Sequence, residues 1–155
     1  MEKFEVKNRW SGTAQFVAEI ECDKDAPLSV KLGLAVAWAN LTGADLNGAN
    51  LTGTNLNGTS LNGADLKGAD LNGADLTRAN LTWASLNGAD LTEADLTWAS
   101  LNGADLTWAN LTWANLNGAD LTGASLTRAS LNGADLTGAN LTRAFMCLGN
   151  RKITL

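Results

Sequence analysis

The chain has 155 residues, a formal net charge of −5, no histidine and two cysteines. That length suits one domain able to bury a core. Residues 40–144 hold most of the imbalance, with four basic and ten acidic side chains. An acidic middle argues against direct nucleic-acid binding, which needs Lys and Arg to neutralise phosphates. Without histidine the commonest general base and metal ligand is missing. No apolar run approaches the roughly 18 residues of a membrane span, and the N-terminus lacks the basic, apolar, then small-residue order of a signal peptide. A cytoplasmic protein with no membrane partner is therefore expected.

In chain order, residues 4–22 come first. Their even positions read Phe4, Val6, Asn8, Trp10, Gly12, Ala14, Phe16, Ala18, Ile20 and Cys22. This period of two, interrupted at Ser11-Gly12, predicts a β-hairpin with one apolar face. Residues 23–27 read as a turn, and residues 28–38 as a short apolar helix entered through Asp25 and Pro27. Hairpin and helix, residues 1–38, are expected to close the first coil of the repeat array that begins at position 39. Cys22 and Cys147 sit in unrelated contexts at opposite ends and are expected as separate thiols.

From position 41 to position 141 a leucine falls at every fifth residue, twenty-one times without a gap. Two residues before each leucine stands Ala, except at Thr54 and Thr59. The full unit reads Ala, then Asp, Asn or Ser, then Leu, then Thr or Asn except at Lys67, then Gly or a bulky residue. In an α-helix, turning about 100° per residue, leucines five apart would spiral around the axis instead of forming a stripe. A flat strand fails as well, because an odd spacing sends successive leucines to opposite faces. The chain must therefore turn a corner in every unit. Ala and Leu, two apart, point inward together, and the residue between them points out. Small Ala beside large Leu fills a narrow tube, so the interior is a packed core and not a pore or a ligand cavity.

These repeats resemble the pentapeptide-repeat family over residues 39–144. The resemblance implies a right-handed quadrilateral β-helix, an all-β solenoid with four units per coil and about five coils here. Residues twenty apart then stack about 4.8 Å above one another, as neighbouring strands do. Each coil buries its apolar edge only against its neighbours, so both ends need covering. Residues 145–155 come after the last unit. Phe145, Met146 and Leu148, with Ile153 and Leu155, read as a thin cap or as the end through which a homodimer forms.

Stacking by twenty maps the outside. Trp83, Trp98, Trp108 and Trp113 fall on four different edges, so no aromatic stripe exists for a single-stranded nucleic acid to stack on. Arg78 falls one coil from Trp98, Arg128 one coil from Trp108, and Glu93 one coil from Trp113. The arginine pairs are candidate cation–π contacts. Eight units carry Arg, Trp or Glu in place of the corner glycine, which suggests that positive φ is not required at every corner and that the turn type varies. Asp70 stacks with Asp90 and Asp75 with Asp95 on adjacent sides. This acidic patch is the candidate interaction site, with cation binding as a lesser reading.

No nucleophile has a base beside it and a convex rod offers no cleft, so no catalytic residue, cofactor or enzyme activity is expected. A non-enzymatic interaction scaffold with a protein partner is the leading reading. The resemblance implies a second: some members are acidic rod-like dimers that bind DNA gyrase in place of DNA. Against it stand the absence of loop insertions and the Asn and Ser that dilute the acid on every side. Ranks of Thr and Asn raise ice binding, but turn chemistry accounts for them. The uniform array also fits an engineered or recently duplicated sequence with no selected activity.

Overall fold

The computed structural model describes residues 2–7, 14–20, 41–148 and 151–154. Strand β1 (Glu2–Lys7) pairs antiparallel with β2 (Ala14–Ile20), matching Glu2 with Ile20, Phe4 with Ala18 and Val6 with Phe16, and the register shifts between Val6 and Lys7. Even positions thus face even positions up to the irregularity, as the alternation predicted. The helix expected over residues 28–38 lies outside the described residues, as does Cys22.

From Asp45 to Ser125 every outward residue forms a parallel bridge with the residue twenty further on, as in Asp75 with Asp95 and Asp95 with Asn115. Four units therefore complete one circuit. The reason such short rungs persist is visible in the unit 94–98, where all five backbone N–H groups have acceptors. Ala94 donates to Leu91 O at 3.1 Å, closing the turn; Asp95 donates back one coil to Ala74 O at 2.9 Å; Leu96 and Trp98 donate forward to Asn115 O at 2.7 Å and Asn117 O at 2.9 Å. Thr97 donates to the Oδ1 of Asp95 at 2.9 Å. A coil that satisfies its own main chain in this way carries no orphaned donor into the wall of the solenoid.

The inward slots form one continuous core. Leucines at 46, 51 and so on through 121 are fully covered, and the alanines between them are at most 1% exposed. Thr54 takes an alanine slot at 0% exposure. Its hydroxyl donates to Leu51 O at 2.6 Å, so the extra polar atom is satisfied inside the turn. Coverage falls off in the last circuit, where Leu131, Leu136 and Leu141 are only half-buried.

Corner geometry corrects the sequence reading. All eight bulky corner residues, Arg78, Trp83, Glu93, Trp98, Trp108, Trp113, Arg128 and Arg143, hold φ between 58° and 63°, inside the 57° to 69° spanned by the corner glycines. Positive φ at the third residue of a four-residue turn, closed by a Leu C=O accepting from the next Ala N–H, is the type II arrangement. In six of the eight the corner N–H donates to the following coil whatever side chain it carries; Trp83 N reaches Asn102 O at 2.9 Å and Arg78 N reaches Thr97 O at 2.9 Å. The ladder over-determines the backbone, so the side chain bears a strain of roughly 1–2 kcal/mol.

Strands β3 (Phe145–Leu148) and β4 (Arg151–Thr154) form a second antiparallel hairpin that pairs Phe145 with Thr154 and Leu148 with Arg151. The Gly-Asn dipeptide between them is a two-residue hairpin signal that the sequence reading passed over.

Candidate interaction surface

The outward slot before each leucine has a structural occupation that composition did not disclose. In every described unit where it is Asp or Asn, its Oδ1 accepts the N–H two residues on, at 2.9 to 3.2 Å. This is an Asx turn, and it supplies the fifth donor of the unit with its acceptor. Several threonines add their hydroxyl to the same oxygen, Thr92 on Asp90 at 2.6 Å and Thr97 on Asp95 at 2.5 Å. Serines in the same slot more often bond to a threonine of the preceding coil, as Ser100 does with Thr82 at 3.0 Å and Ser130 with Thr112 at 3.1 Å. The signal lay in the sequence as Asp or Asn two places before a Thr or Asn whose next neighbour turns the corner.

Asp70 and Asp90 sit on adjacent rungs of one side, Asp75 and Asp95 on adjacent rungs of the next, as expected. Their carboxylates each cap their own turn, Asp70 at 3.2 Å from Asn72 N and Asp75 at 3.0 Å from Thr77 N. Each negative charge is thus anchored to a local N–H dipole on its own rung. Among the described residues no group of three or more Cys, Asp and Glu is gathered as a metal ion would require.

Asp135 shows the electrostatic side of the cap. The hydroxyl of Thr137 at 2.5 Å, and then its N–H at 2.9 Å, hold the Asp135 carboxyl below the usual aspartate range. A folded pKa below the unfolded one contributes stability above the unfolded value, and that contribution is lost as pH falls through the folded value. The expected result is therefore a cap that weakens on the acid side of about pH 4. Carbon-detected NMR titration should find Asp135 titrating low in the native chain and nearer the ordinary range in Thr137→Val; identical curves in the two would show that the hydroxyl does not set it.

The corner tryptophans are the largest exposed apolar groups among the described residues, with Trp83 at 68%, Trp98 at 62%, Trp108 at 57% and Trp113 at 67%. Three of the indoles lean onto a glycine of the next coil. A Cβ on Gly103 would come within 2.3 Å of Trp83, one on Gly118 within 2.5 Å of Trp98, and one on Gly133 within 2.4 Å of Trp113. Trp108 instead meets Arg128, whose guanidinium carbon lies 4.5 Å from the ring centroid. The expected cation–π pair is present there. The other, Arg78 with Trp98, is not, because Arg78 belongs to the coil behind Trp98 while the indole lies on Gly118 ahead of it. A spacing of twenty between Trp and Gly, at 83 and 103, 98 and 118, 113 and 133, carried this information in the sequence. Lys67 and Asp65 add an exposed ion pair at 3.2 Å, of small energetic weight.

At the C-terminal end, Phe145 continues the ladder on Ser125, its N–H donating to Ala124 O at 3.0 Å. Met146 takes the next leucine slot and packs on the core, and both residues are half-buried. Leu148 ends β3. Cys147 is a half-buried free thiol.

The family description "Pentapeptide repeats" matches this chain in eight copies, over residues 37–73, 74–112 and 104–143. The chain belongs to the pentapeptide-repeat family. Its fold is accordingly a right-handed β-helix. Similar solved structures include HetL, a pentapeptide repeat protein involved in heterocyst differentiation regulation from the cyanobacterium Nostoc sp. strain PCC 7120. HetL is 39% identical over 67% of this chain and 54% of its own, with a TM-score of 0.50, so the present pentapeptide-repeat chain spans about half of HetL's length. A pentapeptide repeat protein of the Arabidopsis thaliana thylakoid lumen is 35% identical over 73% of this chain and 75% of its own, at a TM-score of 0.41. QnrB1, a plasmid-mediated fluoroquinolone resistance protein, is 22% identical over 61% and 59%, at a TM-score of 0.30, too distant to carry an argument about partners. No curated protein sequence matches this pentapeptide-repeat chain.

Proposed function

We propose that this pentapeptide-repeat protein is a non-enzymatic, cytoplasmic scaffold: a rod of about five coils, closed at its N-terminal end by the hairpin and helix of residues 1–38, that meets a protein partner through its outward residues. The observation that supports this most directly is the division of labour within the unit. Inward slots are packed with Leu and Ala, an Asp or Asn before leucine caps its own turn, and the corner is the slot where the tryptophans stand out into solvent. Recognition on such a rod falls to the corners and the ends. A second copy would pair through Phe145, Met146 and Leu148 and the half-buried Leu131, Leu136 and Leu141 of the last circuit.

Gyrase binding by mimicry of DNA is the competing reading, supported by the excess of acid in residues 40–144. The Asx turns weaken it, because they give each Asp a reason to be there that Asn fulfils equally well. The expected result is that a molar excess of the chain leaves gyrase supercoiling unchanged and sediments as a dimer. Inhibition or protection of gyrase at stoichiometric amounts would replace the scaffold reading with mimicry, and a monomer at all concentrations would remove the pairing end.

A further inference from the structure

The four edges of the rod differ in what accompanies their tryptophan. Going by residues twenty apart, the edge of Trp83 also carries Arg143, that of Trp108 carries Arg128, and that of Trp98 carries Arg78. The edge of Trp113 reads Gly53, Gly73, Glu93, Trp113, Gly133 and has no basic residue among those described. Asp70 and Asp90 line one side of it, Asp75 and Asp95 the other. Glu93, exposed, sits one coil behind Trp113, on the side away from Gly133 toward which the indole leans.

Trp113 stays 67% exposed while holding φ at 61°, a conformation that glycine adopts without strain at most other corners. The molecule displays on the neighbouring edge what a corner indole takes up: Arg128 lies 4.5 Å from the Trp108 centroid. At Trp113 the position one coil ahead is Gly133, on which the indole leans, so among the described residues no cation takes the place that Arg128 has on Trp108. An indole face is attracted to a guanidinium by its quadrupole, and carboxylates alongside strengthen the pull on any cation that arrives. Arg suits the site better than Lys, since its planar group stacks on the ring while still donating to a carboxylate.

We propose that the edge formed by Glu93 and Trp113 docks an arginine-bearing basic segment of a partner protein, the guanidinium stacking on the Trp113 indole and pairing with Glu93. This rests on the scaffold reading and names the surface that the partner uses. The probe is an oligo-arginine peptide added to the full-length chain at near-physiological salt, with the indole N–H signals read by NMR. Trp113→Gly restores the array's usual corner residue, so the variant is expected to fold, and its missing signal assigns Trp113. The Trp113 signal should shift first on titration, and affinity should fall about tenfold in Trp113→Gly and in Glu93→Gly while Trp83→Gly binds as the native chain does. Equal binding by all four proteins would reduce the interaction to diffuse attraction between opposite charges and overturn the proposal. So would a first response at Trp83 or Trp98, or no binding at all. None of these outcomes alters gyrase supercoiling, so the proposal and the scaffold reading fail separately.

Discussion

Leu96→Ala is expected to lower the free energy of unfolding by about 3 kcal/mol, and Leu136→Ala by about 1 kcal/mol. The two residues have the same place in the unit and the same chemistry. They differ in what surrounds them: Leu96 is fully buried with a coil on each side, whereas Leu136 lies in the last circuit and is only half-buried. Truncating a leucine in the middle of the tube leaves a cavity that the ladder above and below resists collapsing, because every rung is tied to its neighbours by main-chain bonds. At the end of the array the lost side chain gives up less burial, and the void opens toward the surface. Because stability in a solenoid is shared between neighbouring coils, the central substitution also weakens both interfaces it touches. Denaturant unfolding of the two variants reads the difference directly. Equal losses would mean that the terminal circuit is covered as tightly as the centre.

Gly118→Ala and Gly88→Ala share a positive φ of 65°, so each adds the strain of an alanine in the left-handed region, about 1 kcal/mol. Their surroundings differ. An added Cβ at position 88 meets nothing within 4 Å, while at position 118 it would lie 2.5 Å from Cε3 and 2.6 Å from Cζ3 of Trp98. The indole must then swing off the backbone it rests on, exposing apolar area that the native contact covers. Gly118→Ala is therefore expected to cost about 2 kcal/mol, twice the Gly88→Ala loss. Combining it with Trp98→Gly removes the clash, so the double variant should lose less than the sum of the two single variants. Additive losses in that cycle would show that the indole and Gly118 are not coupled. Tryptophan fluorescence should move toward that of a solvated indole in Gly118→Ala and stay unchanged in Gly88→Ala.

The same pairs bear on how so uniform a chain keeps its register. Identical units could in principle pair fifteen or twenty-five residues apart as readily as twenty. A slip of one unit would set Trp83 against Trp98 or Trp108 in the space where the native coil offers Gly103. The spacing of twenty gives Trp83, Trp98 and Trp113 a glycine each and Trp108 Arg128, whereas a spacing of fifteen sets Trp83 and Trp98 each against another tryptophan and one of twenty-five sets Trp83 against Trp108. Corner residues that look like decoration on a repeat thus penalise the nearest wrong pairings.

Much of the architecture is legible in the sequence. The unbroken leucine beat excluded a helix and a flat sheet on period alone. The Ala and Leu alternation defined the core, and stacking by twenty placed Asp70 on Asp90, Asp75 on Asp95 and Arg128 on Trp108. The hairpin of β1 and β2 came from alternation in the same way. The inward and outward assignments succeeded because periodicity states directly which face of the chain a residue occupies; the spacing of twenty came from the resemblance to the pentapeptide-repeat family, since a period of five leaves the number of sides open.

What the sequence did not disclose depends on bonds between coils. Bulky residues at the corners suggested a variable turn, yet all eight keep positive φ, and in six of them the corner N–H is bound to an acceptor on the next coil regardless of the side chain it carries. The direction in which each indole leans decided that Trp108 meets Arg128 and that Arg78 is left behind Trp98. The Asp residues, read as a patch of excess charge, turned out to be acceptors that complete the main-chain bonding of their own units. Local period determines what points inward along this chain. The strain, the leaning of side chains and the roles of the polar slots are settled only when one coil is laid against another, because their partners lie twenty residues away.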